Sequence, residues 1–271
     1  MNNHSFPLIS LIRSRRIGLA CAGAALACCT AAYGGGTIVV DNDEWTLSDA
    51  GFSSEGAANG TAYAQNAAKF LTGGSGSILI DSGNFGLAGG DLNTALTTGG
   101  YTVTEDPSTP FTLANLSAYK AVFLGGNTLP SDYVSVLSAY VNGGGGLYIA
   151  EGTGDIGSEG AYWTSFLKNF GLSTSDPYNG IVGTVPVVSS SPVLAGVSQL
   201  FYDNGDTVSL SPLTQIYSGT AQVITYDGSD GLIATFSSSV PDDTSTLFLA
   251  GLSLALLGFG ARHFSSKAER A

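Results

Sequence analysis

The sequence predicts an α/β domain: a mostly parallel open sheet with helices on both faces, followed by a β-rich C-terminal extension. Three observations carry this. Between residues 37 and 170, compact aliphatic runs alternate with segments of helical periodicity, the arrangement that builds parallel sheets through crossover helices. Glycine pairs or runs at 73–74, 99–100 and 143–146 mark where helices end and strands begin. The stretch 33–239 holds no Cys, so about 207 residues must form a core by packing alone, a length sufficient for one.

Taken in order, Thr37-Ile38-Val39-Val40 is a short β-rich run leading into Asp41-Asn42-Asp43-Glu44-Trp45. Residues 61–71 carry a helical apolar pattern that Gly73-Gly74 ends, and 77–81 read as a buried strand of aliphatic residues between Gly and Ser. A second helix over 87–96 stops at Gly99-Gly100, and 101–104 form the next strand. A helical turn at 113–119 precedes the strand 121–124. Pro130 suits the first turn of a helix reaching 141, with Tyr133, Val134, Leu137 and Tyr140 on one face. The strand 147–150 and an amphipathic helix over 162–170 follow. Beyond 181 the texture changes to short strands at 185–188, 207–210, 215–217, 222–226 and 232–236, joined by Gly, Asp and Ser turns. These extend the sheet or form a flap.

Charge excludes more function than it suggests. Residues 33–239 contain no Arg and no His, and three lysines (Lys69, Lys120, Lys168) face eighteen acidic side chains. Nucleic acid and anionic lipid are bound through Lys and Arg that neutralise phosphate, so neither is an expected partner. Without Cys or His, a Ser or Cys nucleophile has no base to activate it. Carboxylate chemistry is what remains. Asp41, Asp43 and Glu44 cluster before the first predicted helix, and Glu151, Asp155 and Glu159 line the loop after a strand. Ligand crevices of open α/β sheets lie at strand C-termini, so Asp81, Asn127, Glu151 and Asp155 are expected to converge there. No cofactor is required, but Asp41, Asp43 and Glu44, or Glu151 and Asp155, would suit Ca²⁺, which takes several oxygens. A carboxylate pair would alternatively hydrolyse a glycosidic bond, and the plainest role for these acids is to cap helices and solvate loops. Trp45, Trp163 and the many tyrosines either fill the core or form a sugar-stacking surface.

The two ends read as targeting segments. Arg13, Arg15 and Arg16 precede an apolar run at 17–29, and Thr30-Ala31-Ala32 offers small residues for cleavage, the layout of a signal peptide over 1–32 served by the Sec export machinery. Residues 240–271 begin with Val240, Pro241, Asp242 and Asp243, continue into an apolar helix at 247–261, and finish with Arg262, His263, Lys267 and Arg270. About 15 helical residues at 1.5 Å each reach roughly 23 Å, short of the ~30 Å hydrocarbon core. Such a helix suits a transient anchor, or alternatively a plain C-terminal anchor. The basic tail would stay cytoplasmic and everything before Val240 would lie outside.

This C-terminal stretch resembles the PEP-CTERM signal of Gram-negative bacteria, with Val240-Pro241-Asp242 at the start of the motif and Asp243 where the second Pro belongs. The resemblance implies removal by an exosortase-type membrane protease, and a cell-surface or extracellular destination beside secreted polysaccharide or biofilm. The pattern Leu124-Gly125-Gly126, a helix, Gly-Gly-Gly-Leu-Tyr-Ile-Ala and a turn at Glu151-Gly152 resembles the class I glutamine amidotransferase-like (flavodoxin-like) fold. So does Ser191-Pro192-Val193-Leu194-Ala195-Gly196, which is similar to a His-Pro element of secreted relatives. In that family the nucleophilic Cys occupies the strand-to-helix turn. Here Glu151 stands in its place and Ser191 in that of the His. The resemblance therefore implies a domain without the catalytic triad, structural or ligand-binding in role, with a carboxylate- or metal-dependent glycan hydrolase as the alternative.

Overall fold

The structure, a computed structural model, describes residues 35–239. The expected signal segment 1–32 and the tail 240–271 lie outside the described residues. Among the described residues no helix is long and apolar enough to cross a membrane.

Five parallel strands form the organising half of a nine-stranded sheet: β1 (Thr37–Asp41), β2 (Ser77–Ile80), β3 (Thr102–Glu105), β4 (Ala121–Gly125) and β5 (Gly146–Ala150), in spatial order β3-β2-β4-β5-β1. Their crossovers carry α1 (Asp49–Glu55), α2 (Ala57–Thr72), α3 (Gly90–Thr98), α4 (Leu113–Leu116) and α5 (Tyr133–Asn142). After α6 (Glu159–Leu167) and a 3-10 turn come β6 (Leu172–Ser175), β7 (Val182–Pro186), β8 (Gln199–Asp203), β9 (Thr207–Leu210), β10 (Gly219–Asp227) and β11 (Asp230–Ser238). Of these, β11, β9, β6 and β10 continue the same sheet by antiparallel pairing, while β7 and β8 make a separate two-stranded sheet. The mixed α/β architecture with a largely parallel sheet is thus present, and the expected β-rich extension is mostly an enlargement of that sheet.

Strand alternation divides the core into two layers. Val39, Ile78, Ile80, Phe123 and Tyr148 pack with Phe52 of α1, Tyr63 and the alanines of α2, and Leu92 and Leu96 of α3. Ile38, Val40, Leu79, Val122 and Ile149 pack on the other face with Leu137 and Val141 of α5, and with Trp163 and Phe166 of α6. β1 is apolar on both faces because both are covered, and both edges are paired as well: it lies between β5 and β11.

Several boundaries differ from expectation for identifiable reasons. α1 was not expected at all. Its sequence, Asp-Ala-Gly-Phe-Ser-Ser-Glu, has little helical character, but the Ser48 hydroxyl caps it by accepting from the Gly51 N–H at 3.0 Å. α2 starts at Ala57, four residues before its periodic apolar pattern, and ends at left-handed Gly73. Residues 215–217 are not a strand: Gln215 turns its amide onto the carbonyls of Tyr217 and Gly219, making a loop that leads into β10. β6 and β8, unremarkable as sequence, are strands because β9 and β7 pair with them.

Candidate functional site

The chain leaves β2 toward β3 on one side and later returns as β4 on the other. This reversal opens a crevice at the carboxyl ends of the parallel strands, where ligands bind in open α/β sheets. The loops that follow β1, β2, β4 and β5 meet there, joined by the segments after β6 and β8. Acidic residues dominate it. The three lysines lie elsewhere: Lys69 is in the last turn of α2, Lys120 precedes β4, and Lys168 ends α6.

The candidate acids go to three different environments. Asp41 points into the α2 layer, where Tyr63 and Tyr148 donate their hydroxyls to Oδ2 at 2.9 and 2.8 Å, and Thr46 donates to Oδ1 at 3.3 Å. Burial nevertheless pushes its pKa up to about 7. Asp43 is an organiser of backbone: it accepts from the Trp45 N–H at 2.9 Å and the Asp203 N–H at 2.6 Å, tying the β1 loop to the end of β8. Glu44 turns the third way, where burial first, then repulsion from Asp43, Asp155 and Glu159, lifts it to about 8. The three acids Asp41, Asp43 and Glu44 therefore do not share one centre. Among the described residues no three His, Cys, Asp or Glu side chains gather closely enough to hold a metal ion by themselves.

Glu151 and Asp155 also separate. Glu151 follows β5 immediately and is 0% exposed. Desolvation holds its pKa well above the usual carboxylate range, and Glu159, Asp206 and Asp176 raise it further. Asp155 stands in solvent, where its Oδ2 accepts from Asn84 Nδ2 at 3.1 Å. Of the residues expected to converge, Asp81, Asn127, Glu151 and Asp155, no two are joined by a hydrogen bond. Asp81, lifted by burial to about 6, is coupled instead to Asp106, and Asn127 folds back to accept from the Gly125 N–H at 3.3 Å.

Two groupings are assembled instead, the first not signalled as a group in the sequence and the second including Trp45 and one of the tyrosines named above. The first is a buried acidic cluster around Glu151 and Asp206. Asp206 is 0% exposed, and its pKa is raised by burial, then by Glu159, Asp176 and Asp43, to about 7. Its N–H donates to the Asn42 carbonyl at 2.8 Å, while Asn42 Nδ2 and Asn179 Nδ2 donate to its own carbonyl at 2.7 and 2.6 Å. Glycine makes this approach feasible: a Cβ on Gly152, at φ +70°, would stand 2.7 Å from the Gly205 Cα. Beside the cluster, Gly154, Ile156, Ser158, Glu159, Asp176 and Tyr178 line an open cleft of about 210 Å³.

The second grouping is an aromatic and polar surface. Trp45 meets Phe85 edge to face, ring centroids 4.6 Å apart, and Phe85 is 47% exposed. Asn84 and Asp155 lie next to it, and Tyr178, 42% exposed, stands over Gly154. Trp163, by contrast, is a core residue at 0% exposure. The sequence pointed to Trp45 and to the tyrosines only as a group, and gave no signal for Asn42, Asn84 or Phe85. The one available signal for Asp206 was its place in Asp203-Asn204-Gly205-Asp206, which reads as an ordinary turn.

The turn after β5, where amidases of the resembled fold place their nucleophile, presents only the inward-facing Glu151. The segment with Ser191 forms a 3-10 turn at Pro192–Leu194, with Ser191 capping it. Asn66 of α2 donates to the Ala195 carbonyl at 2.8 Å, which holds this segment against α2. No family model, no curated protein and no solved structure matches the chain.

Proposed function

We propose that the protein is an exported, non-catalytic binding domain of the cell surface or extracellular matrix, and that it takes polysaccharide at the crevice of its sheet. In this reading it has the amidotransferase-like fold without the triad. It leaves through the Sec machinery and is held briefly by its C-terminal helix until an exosortase-type protease reads Val240-Pro241-Asp242-Asp243.

The observation that carries the reading is the surface of Trp45, Phe85 and Tyr178 beside Asn84 and Asp155. Exposed rings offer an apolar face to a sugar ring, and amide and carboxylate oxygens pair with its hydroxyls. Nothing in 33–239 supplies a Cys or His for nucleophilic chemistry.

Co-sedimentation with purified acidic and neutral bacterial polysaccharides tests the binding. The wild type is expected to pellet with at least one of them, and Phe85→Ala to lose roughly tenfold in affinity, about 1.4 kcal/mol. Equal retention of wild type and Phe85→Ala would overturn the crevice assignment. Glycan turnover abolished by Glu44→Gln or Glu159→Gln would show a hydrolase instead. Mass spectrometry of the two ends of the protein from cells checks the export reading: a chain still ending at Ala271 contradicts removal of the tail.

A further inference from the structure

The buried cluster beside the crevice holds an unusual set of atoms. Both carboxylate oxygens of Glu151, both of Asp206 and Oδ1 of Asn42 are buried without a hydrogen-bond partner. All three side chains are fully buried, at 0% exposure. An unpaired buried acceptor costs roughly 1–3 kcal/mol, more if charged, so five of them on residues whose backbones meet call for a counterpart. Among the described residues no cation provides it: Lys69 and Lys168 lie at the C-terminal ends of α2 and α6 and Lys120 precedes β4. The Thr174 hydroxyl near Glu151 donates to the Gly160 carbonyl at 3.2 Å.

The three residues are held together by backbone, not by chance of rotamer. The Glu151 N–H donates to the Asp41 carbonyl at 2.9 Å, so Glu151 and Asn42 are the next residues along two hydrogen-bonded parallel strands. Asp206 is clipped to Asn42 by two bonds, from its N–H to the Asn42 carbonyl and from Asn42 Nδ2 to its own carbonyl. That second bond commits the Asn42 amide nitrogen and leaves Oδ1 as the free end. Glu159 and Asp176 repel both Glu151 and Asp206, and both also line the open cleft. The cleft thus carries negative charge close to the two buried acids.

We propose that Glu151, Asp206 and Asn42 bind a divalent cation of the calcium class. Ca²⁺ takes 6–8 oxygen ligands in flexible geometry. Two carboxylates and an amide oxygen offer five, and water would supply the rest. Mg²⁺ fits less well, because it requires near-octahedral geometry and gives up its waters reluctantly. The cation would add a further tie between the ends of β1 and β5 and the loop after β8, which Asp43, Asn42 and backbone bonds already join. It is independent of the polysaccharide reading, because the ligand set does not use Phe85 or Asn84.

The test uses the purified protein stripped with chelator and returned to matched ionic strength. Calorimetric titration with CaCl₂ should show one saturable site, and thermal melts should move up with Ca²⁺ and much less with Mg²⁺. Glu151→Gln and Asp206→Asn, nearly isosteric, should each weaken Ca²⁺ by at least about tenfold, whereas Asp155→Asn should leave it unchanged. Terbium provides a second readout: excitation of Trp163, which neighbours Glu159, should give sensitised emission that Ca²⁺ displaces. Circular dichroism confirms that each variant is folded, and if one is not, the other decides. Absence of saturable uptake by the wild type overturns the proposal. So does uptake that Glu151→Gln and Asp206→Asn leave unchanged, or uptake that Asp155→Asn abolishes.

Discussion

Asp41 and Glu151 sit almost side by side at the ends of two neighbouring strands, yet they have opposite circumstances. Asp41 pairs with Ala150 in the register of β1 and β5, and its carbonyl accepts the Glu151 N–H. Side chains alternate along a strand, so one residue of offset sends Asp41 into the α2 layer and Glu151 toward α6. There Asp41 meets the hydroxyls of Tyr63, Tyr148 and Thr46. Glu151 meets other acids, and neither of its oxygens has a hydrogen-bond partner among the described residues, the nearby Thr174 hydroxyl donating to the Gly160 carbonyl instead. The first arrangement is a finished structural unit. The second leaves acceptors without a partner among the described residues, which the proposed cation would fill. Burial alone therefore does not distinguish a structural acid from a functional one; the inventory of donors does.

Perturbing each kind of acid should separate them, and the largest effect is expected at the satisfied one. Asp41→Ala leaves the Tyr63 and Tyr148 hydroxyls without their acceptor in a dry layer, while Thr46 keeps the Phe201 carbonyl at 3.1 Å, and should cost about 3 kcal/mol or more. At roughly 2–4 °C per kcal/mol for a domain of this size, the melting temperature should fall by about 10 °C. A change under about 1 kcal/mol in denaturant melts would contradict the structural role.

Glu55 comes next and lies between the two cases. One oxygen accepts from the Phe201 N–H at 2.8 Å, while the other is unpartnered. Burial raises its pKa from 4.5 to about 8, opposed by that bond and reinforced by Asp41. Its folded pKa exceeds the unfolded one, so the native state binds more protons between these values and stability declines as pH rises from 4.5 to about 8. Glu55→Gln keeps the acceptor and removes the titration. It should be more stable than the wild type at pH ~8 by on the order of a few kcal/mol, with the gap closing near pH ~5. A gap that is constant with pH would show that Glu55 does not titrate in this range.

Smaller effects follow. Ser48→Ala removes the N-cap of α1 and should cost about 1 kcal/mol. That loss should appear as faster hydrogen exchange in 49–55 before it appears in global unfolding; uniform protection would contradict it. Phe85→Ala should cost less than about 0.5 kcal/mol of stability, because the ring is already half exposed, while still reducing polysaccharide retention. A large loss of stability would make Phe85 a packing residue and remove it from the binding surface.

The alternation of strands and helices was legible because it is local. The aliphatic runs of β2, β4 and β5 and the glycines that stop α2 and α3 are properties of short windows. α1 was not legible, because a seven-residue helix with one buried Phe owes its existence to a cap and to the neighbours it packs on. Strands β6 and β8 were missed for a related reason: their half-buried patterns acquire meaning only from β9 and β7.

For the crevice, the acids of the first loop and Glu151 were visible as residue types, but their partition was not. The proposed cation ligands are separated in sequence by more than a hundred residues between Asn42 and Glu151, and by some fifty more to Asp206. No spacing rule connects them. Composition alone removed Cys, His and Arg chemistry from 33–239, because a missing side chain cannot be supplied by folding. Which acids receive donors, which stand bare and which face solvent depended on the register of β1 against β5 and on where the β8 loop lands. Those are set by long-range pairing, and a shift of one residue would reverse every face.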